Sequence, residues 1–97
     1  MSISVVIRYD IHVSEELLMK AVHVEKYRQI GLKIAYYRKL RGLTQEELAE
    51  QVGVTPAFIG HLEAPNIKKA LSLDTLFDIA DTLEIQPRKF LEFEEDL

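Results

Sequence analysis

Apolar and polar residues alternate between residues 3 and 13, which is the period-two pattern of a half-buried β-strand. The apolar side of this strand includes Ile3, Val5, Ile7, Tyr9 and Ile11. A single strand leaves backbone groups unpaired and an apolar face uncovered, so it needs a partner strand. Because no second strand is predicted, we expect the same strand of a second copy to pair with it about a two-fold axis, forming a homodimer. A disordered leader is the alternative interpretation.

The rest of the chain has apolar positions spaced three or four residues apart, which predicts helices. A first helical segment begins at Ser14, where two acidic residues follow the N-cap position. The next helix ends at Gly42, and its predicted inward positions are Tyr27, Ile30, Ile34, Tyr37 and Leu40. Ser72 caps a later helix, whose predicted core positions are Leu73, Leu76, Phe77, Ile79, Ala80 and Leu83. A last short helix begins at Pro87.

The stretch from residue 42 to residue 63 reads GLTQEELAEQVGVTPAFIGHLE and predicts two short helices joined by a tight turn. Thr44 and Glu47 have the spacing of a capping box at the start of the first helix. Gly53 lies where a left-handed residue can end that helix without a Cβ clash. Thr55 is a second N-cap candidate, and Pro56 follows at the first helical position. With so few residues between them, the two helices must cross at a steep angle.

This ordered set of residues resembles the phage-repressor-like helix-turn-helix proteins, also called the Cro or Xre type. The resemblance extends from about residue 30 to residue 91, and it rests on Ile34, Arg38, Gly42-Leu43-Thr44-Gln45, Leu48-Ala49, Gly53-Val54-Thr55, Ile59, Glu63 and the run from Ser72 to Leu76. It implies a mainly α, five-helix, lambda-repressor-like domain. The alternating pattern and the helix start at Ser14 precede this stretch, so we predict an N-terminal extension in residues 1–26, with one β-strand and a helical segment that serve dimerisation. A helix-turn-helix domain follows in residues 27–93, and an acidic tail in residues 94–97.

In this family the second helix of the motif enters the major groove, while the first helix crosses the sugar-phosphate backbone. The resemblance implies that Gln45 contacts a phosphate beside Thr44, and that Arg38 pairs with Glu63. The outward positions of the reading helix are then Thr55, Pro56, Ala57, Gly60 and His61. Further phosphate contacts are expected from Arg41, Lys68 and Lys69.

The predicted reading helix departs from the family pattern. Relatives usually place amides, hydroxyls or arginines at these positions, because such groups distinguish base pairs. Pro56, Ala57 and Gly60 have no side-chain hydrogen-bonding group. Direct readout is left to Thr55 and His61, with apolar contact from Ala57 or Phe58. We therefore expect sequence discrimination that is weak or assisted by a partner. The alternative for His61 is an exposed residue without a role, and for Phe58 a half-buried core position is favoured over a base contact.

The charge distribution keeps two functions open. The net charge is −4, whereas DNA-binding modules usually carry a basic surface. No lysine or arginine occurs between Arg41 and Lys68, although basic residues flank this stretch on both sides. The favoured hypothesis is a repressor-like transcription regulator that binds double-stranded DNA as a homodimer. The alternative is a protein-interaction module, or an antitoxin-like protein, with weak or no sequence-specific DNA binding and with a protein partner.

Other functional classes find little support in the sequence. The chain has no cysteine, no apolar run long enough to cross a bilayer and no leader pattern, so we expect a cytoplasmic protein without a membrane partner. The three histidines lack the spacing of metal ligands, and no phosphate-binding glycine loop or nucleophilic serine motif occurs. We expect no enzymatic activity, cofactor or metal.

Overall fold

A computed structural model describes residues 21–93, which form four α-helices and two short 3-10 helices. The described part of the chain begins with a 3-10 helix at Ala21–His23 and continues directly into α1 at Val24. The α-helices are α1 at Val24–Leu40, α2 at Gln45–Val52, α3 at Pro56–Glu63 and α4 at Leu73–Leu83. The second 3-10 helix covers Pro87–Leu91 and closes the described part of the chain.

The fold is thus mainly α, and no β-strand occurs within residues 21–93. The prediction of five helices was wrong for this range, because the last predicted helix is the 3-10 helix at Pro87–Leu91. The predicted strand with Ile3, Val5, Ile7, Tyr9 and Ile11, and the helix start at Ser14, lie outside the described residues. The predicted boundary between residues 26 and 27 falls inside α1, so the division into an extension and a domain stays a prediction.

The predicted start signals of three helices are present. Thr44, Thr55 and Ser72 all have extended backbone angles, and each side-chain oxygen accepts from the backbone N–H three residues on. Such caps satisfy donors that have no partner inside the helix. Local residue choice therefore sets where α2, α3 and α4 begin.

The hydrophobic core lies where all four α-helices and the last 3-10 helix meet. Its buried apolar members are Ile30, Ile34, Leu48, Ala49, Ile59, Leu62, Leu76, Ile79, Ala80, Leu83 and Phe90. Phe90 is fully buried, and the Tyr37 ring meets it edge-on with the ring centroids 5.7 Å apart. The closing 3-10 helix is thereby held against α1.

Three predicted core residues are exposed instead: Leu40, Leu73 and Phe77. On α1 the core face passes through Ile34 and Arg38. Leu40 follows Arg38 by two residues, which is about 200° around the helix, so it lies on the other side. On α4 Phe77 lies about 100° around the helix from the buried Leu76. Apolar residues that share a helix with the core face therefore need not belong to it. None of the helices within residues 21–93 has the length and apolar character needed to cross a bilayer.

Candidate nucleic-acid interface

The start of α2 is fixed by a complete capping box. The Glu47 backbone N–H donates to Thr44 Oγ1 at 3.0 Å, and the Thr44 backbone N–H donates to Glu47 Oε1 at 2.9 Å. The bond from the Thr44 backbone N–H, followed by the Thr44 hydroxyl, lowers the pKa of the Glu47 carboxyl below its usual range. This box leaves Gln45 as the first residue of α2, at the positive end of the helix dipole.

A three-residue turn connects α2 to α3. Gly53 has φ +87°, and both its N–H and that of Val54 donate to the Ala49 carbonyl, at 2.8 and 3.0 Å. A residue with a Cβ rarely adopts this left-handed angle, so the turn needs glycine here. The chain then re-enters a helix at Thr55, whose hydroxyl accepts from the Phe58 N–H at 3.1 Å.

A buried ion pair joins α1 to the end of α3. Arg38 Nε and Nη2 donate to the two carboxylate oxygens of Glu63 at 2.7 and 2.9 Å, in the two-pronged geometry that suits a guanidinium. Arg38 Nη1 also donates to the Leu43 carbonyl at 2.7 Å, just before α2. The side chains are only 9% and 6% exposed, and hydrogen bonding to Glu63 raises the pKa of Arg38. The predicted pairing of Arg38 with Glu63 is therefore present.

The Gln45 side chain extends this network to the start of α2. Its Nε2 donates to Glu63 Oε1 at 2.9 Å, and the residue is half-buried. The sequence predicted a phosphate contact for Gln45 but not this internal bond. One N–H of the amide is thus used inside the protein, while the amide carries a second N–H and a carbonyl oxygen. The bond gives the amide a defined orientation beside α3.

The outward residues of α3 are fewer than the sequence predicted. Thr55, Pro56, Ala57 and His61 are exposed, whereas Gly60 is half-buried. A Cβ placed on Gly60 would lie 3.5 Å from the carbonyl oxygen of the Gln45 side chain. Gly60 therefore faces α2 instead of open solvent, because the two helices cross closely at this point.

Phe58 and the lysines after α3 form a separate contact. Phe58 is half-buried and packs against the core, which agrees with the interpretation that favoured a core position over a base contact. Lys69 Nζ lies 5.2 Å from the centroid of the Phe58 ring, within the range of a cation–π contact. Lys68 is exposed beside it. The loop after α3 thus presents Lys68 to solvent and turns Lys69 towards the protein.

Arg41 has a structural contact that the sequence did not reveal. Its Nε donates to the Leu83 carbonyl at 2.6 Å, and its Nη2 donates to the Glu84 carbonyl at 3.1 Å. These carbonyls lie at the C-terminal end of α4, where helices have unpaired acceptors and negative partial charge. Arg41 therefore ties the end of α1 to the end of α4. The last turn of α4 has no basic residue of its own, so Arg41 supplies the positive charge there from another helix.

A helix-turn-helix family profile of the Cro and C1 repressor type matches residues 34–90, which includes the network and both helices of the turn. This chain belongs to that family. No curated protein matches it in sequence. The sequence-based identification of the family is therefore confirmed.

Solved structures of three regulators are similar to this helix-turn-helix protein. The clp gene regulator ClgR from Corynebacterium glutamicum is 26% identical with a TM-score of 0.64, and the match covers 68% of each chain. The restriction-modification controller protein C.AhdI from Aeromonas hydrophila is 27% identical with a TM-score of 0.63, over 68% of this chain and 97% of that one. The biofilm regulator SinR, solved in complex with DNA, is 30% identical with a TM-score of 0.60, over 65% and 98%. SinR has also been solved with the SinI protein.

Family membership and the similar solved structures support a DNA-binding, repressor-like transcription regulator. The similar proteins are themselves regulators and not enzymes. The motif of this helix-turn-helix protein is nevertheless acidic. Residues 42–67 contain four acids, Glu46, Glu47, Glu50 and Glu63, and no lysine or arginine. Only Glu63 among them is buried and paired with an arginine. Within residues 21–93, no three His, Cys, Asp or Glu side chains are grouped in a way that could hold a metal ion.

Proposed function

We propose that this regulator binds double-stranded DNA with α3 in the major groove and the N-terminus of α2 against the backbone. The observation that carries this proposal is the bond from Gln45 to Glu63, which holds the amide at the start of α2 and beside α3. A side chain held in this way loses little conformational freedom when it meets a phosphate. The second N–H of the Gln45 amide is the donor proposed for that contact.

The proposed phosphate contacts come from the protein backbone and from very few charged side chains. The backbone N–H groups of the first turn of α2, after Thr44, suit an anion because they lie at the positive end of the helix dipole, whereas the Thr44 N–H already donates to Glu47. Exposed Lys68 is the charged contact after α3, and Lys69 adds positive charge while it lies over the Phe58 ring. Arg41 is left out of the proposed interface, because its guanidinium already binds the end of α4.

The proposed base contacts are limited to Thr55, His61 and the methyl group of Ala57. The Thr55 hydroxyl already accepts a hydrogen bond within the helix cap, so its methyl group and its own O–H remain for recognition. Pro56 is exposed but has no side-chain hydrogen-bonding group. Gly60 faces Gln45 and is left out. Only His61 offers a ring donor and acceptor to a base edge, so we expect modest sequence discrimination.

Selection of bound sequences from a random DNA pool, followed by titration on the selected site and on scrambled DNA, tests the proposal. We expect binding at low salt that weakens strongly as salt rises, with a small preference for the selected site. An absence of measurable binding even at low salt would overturn the DNA-binding assignment. The protein-interaction module would then be the better function, and the acidic motif would be its supporting feature.

We also propose that the regulator acts as a homodimer, since helix-turn-helix proteins read two half-sites with two-fold symmetry. The alternating pattern that includes Ile3, Val5 and Ile7 supports the N-terminal segment as the contact between the copies. The test is to measure the mass in solution of the full chain and of a chain that lacks residues 1–13. A shortened chain that remains a stable dimer would rule out the segment as the interface.

A further inference from the structure

The outer face of α1 forms one wall of an open groove of about 1040 Å³, remote in sequence from the helix-turn-helix. The 3-10 helix Pro87–Leu91 and the residues that follow it form the other wall. Its apolar lining consists of Val22, Leu32, Tyr36, Leu91 and Phe93. Val22, Leu32, Tyr36 and Leu91 are exposed, with Val22 and Tyr36 at 77% and 61%. This face of α1 therefore exposes apolar side chains away from the core, between charged and polar residues that line the same groove.

Lys33 lines the same groove and has an unusual environment. Its Nζ atom is buried, and within residues 21–93 it has no hydrogen-bond acceptor. The ammonium lies 5.1 Å from the centroid of the Phe93 ring. A cation–π contact offsets only part of the loss of hydration, so a buried ammonium favours a carboxylate partner.

The acidic residue in the described lining of the groove does not supply this partner. Glu25 lines the groove, but its carboxylate accepts from Arg28 Nε at 2.8 Å. The groove also contains Lys26, so its lining has three basic side chains and a single acidic one. Its charge is therefore complementary to an acidic segment.

We propose that the acidic C-terminal tail, residues 94–97, docks in this groove and that one of its carboxylates binds the Lys33 ammonium. The tail reads Glu-Glu-Asp-Leu and follows directly after Phe93, whose ring already contacts Lys33. Because an extended chain covers about 3.3–3.6 Å per residue, the first acidic residues lie within reach of the ammonium. The tail would also shield the exposed apolar residues of α1. Residues 94–97 would thus be bound to α1, the helix that carries Arg38.

A double-mutant cycle between Lys33 and the tail tests this inference. One variant is Lys33→Met, which keeps an apolar stem, and the other combines Glu94→Gln, Glu95→Gln and Asp96→Asn. We expect the neutral tail to lower the melting temperature by about 4 °C or more in the wild-type background. The same tail change should have almost no effect in Lys33→Met, and Lys33→Arg should restore the effect.

Lys39→Met is the matched control, because Lys39 is an exposed lysine of α1 that does not line the groove. Its effect should add to that of the neutral tail. Additive effects for Lys33→Met as well would overturn the inference. Coupling that grows with protein concentration would overturn it in favour of the tail of a second copy. Coupling of Lys33 to Glu15→Gln and Glu16→Gln, and not to the tail, would overturn it in favour of the N-terminal segment.

Discussion

The backbone of Gly31 lies directly against the carbonyl of Leu62. A Cβ built on Gly31 would stand 1.8 Å from the Leu62 oxygen, a distance that no packing arrangement allows. Both residues are inside helices, so neither backbone can shift without moving a helix. This contact sets how closely α1 approaches α3, and the Arg38–Glu63 pair lies further along the same two helices.

We expect Gly31→Ala to destabilise the domain by about 3 kcal/mol, because the methyl group must push α3 away from α1. Gly60→Ala is the matched control on α3, where a Cβ would lie 3.5 Å from the Gln45 side chain in ordinary contact. It should stabilise the domain by roughly 0.5–1 kcal/mol through better helix propensity. Urea denaturation of both variants measures the two changes. Equal effects would show that the close approach at Gly31 is not present.

Removing one partner of the Arg38–Glu63 pair should be strongly destabilising. We expect about 3 kcal/mol for Arg38→Ala, since it leaves the Glu63 carboxylate buried with only the Gln45 amide as a donor. Arg28→Ala is the control, because the Arg28–Glu25 pair is exposed and should matter little. The double variant Arg38→Ala with Glu63→Ala should be less destabilised than the sum of the single variants. Additive losses would mean that the two side chains are not coupled.

The capping box at Thr44 and Glu47 predicts that the stability of the fold depends on pH. Because the pKa of Glu47 is lowered in the folded protein, the folded state binds this proton less readily than the unfolded state. The charged carboxylate therefore contributes stability near neutral pH, and the contribution is lost as the pH falls below about 4. Wild type should be more stable than Glu47→Gln near pH 7, and the difference should shrink at low pH. A difference that stays constant with pH would contradict the charged capping box.

Lys68→Ala should weaken DNA binding without changing its sequence preference. Each neutralised phosphate contributes about −0.9 to the slope of log K against log salt, so the slope should become shallower by about one unit. Titration on selected and scrambled DNA at several salt concentrations measures the slope. Lys26→Ala, on the outer face of α1, is the control and should leave the slope unchanged. A slope that is identical in all three proteins would remove Lys68 from the interface.

His61→Ala should change the sequence preference of DNA binding but not its salt dependence. We expect a loss of about 1–3 kcal/mol on the best site, with relaxed preference at one or two base pairs and a nearly unchanged salt slope. The measurement is a comparison of the sequences that the variant and the wild type select from the same pool. Identical preferences would indicate that His61 is an exposed residue without a role in recognition.

The sequence by itself determined the features that depend on neighbours within a few residues. The caps at Thr44, Thr55 and Ser72 and the left-handed turn at Gly53 follow from side chains and backbone groups three or four positions apart. Such contacts are short in sequence, so residue type and spacing are enough to predict them. The ordered motifs from Ile34 to Leu76 also indicated the family, which the match to residues 34–90 confirms.

The tertiary structure decided the contacts between residues far apart in sequence. The family resemblance implied the Arg38–Glu63 pair, but nothing in the sequence indicated that Gln45 would donate to Glu63 or that Arg41 would bind the end of α4. These bonds depend on the angles at which the helices cross, and those angles result from packing of the whole core. For the same reason the apolar pattern alone could not distinguish buried Ile34 from exposed Leu40, because the boundary of a buried face is set by the neighbouring helices.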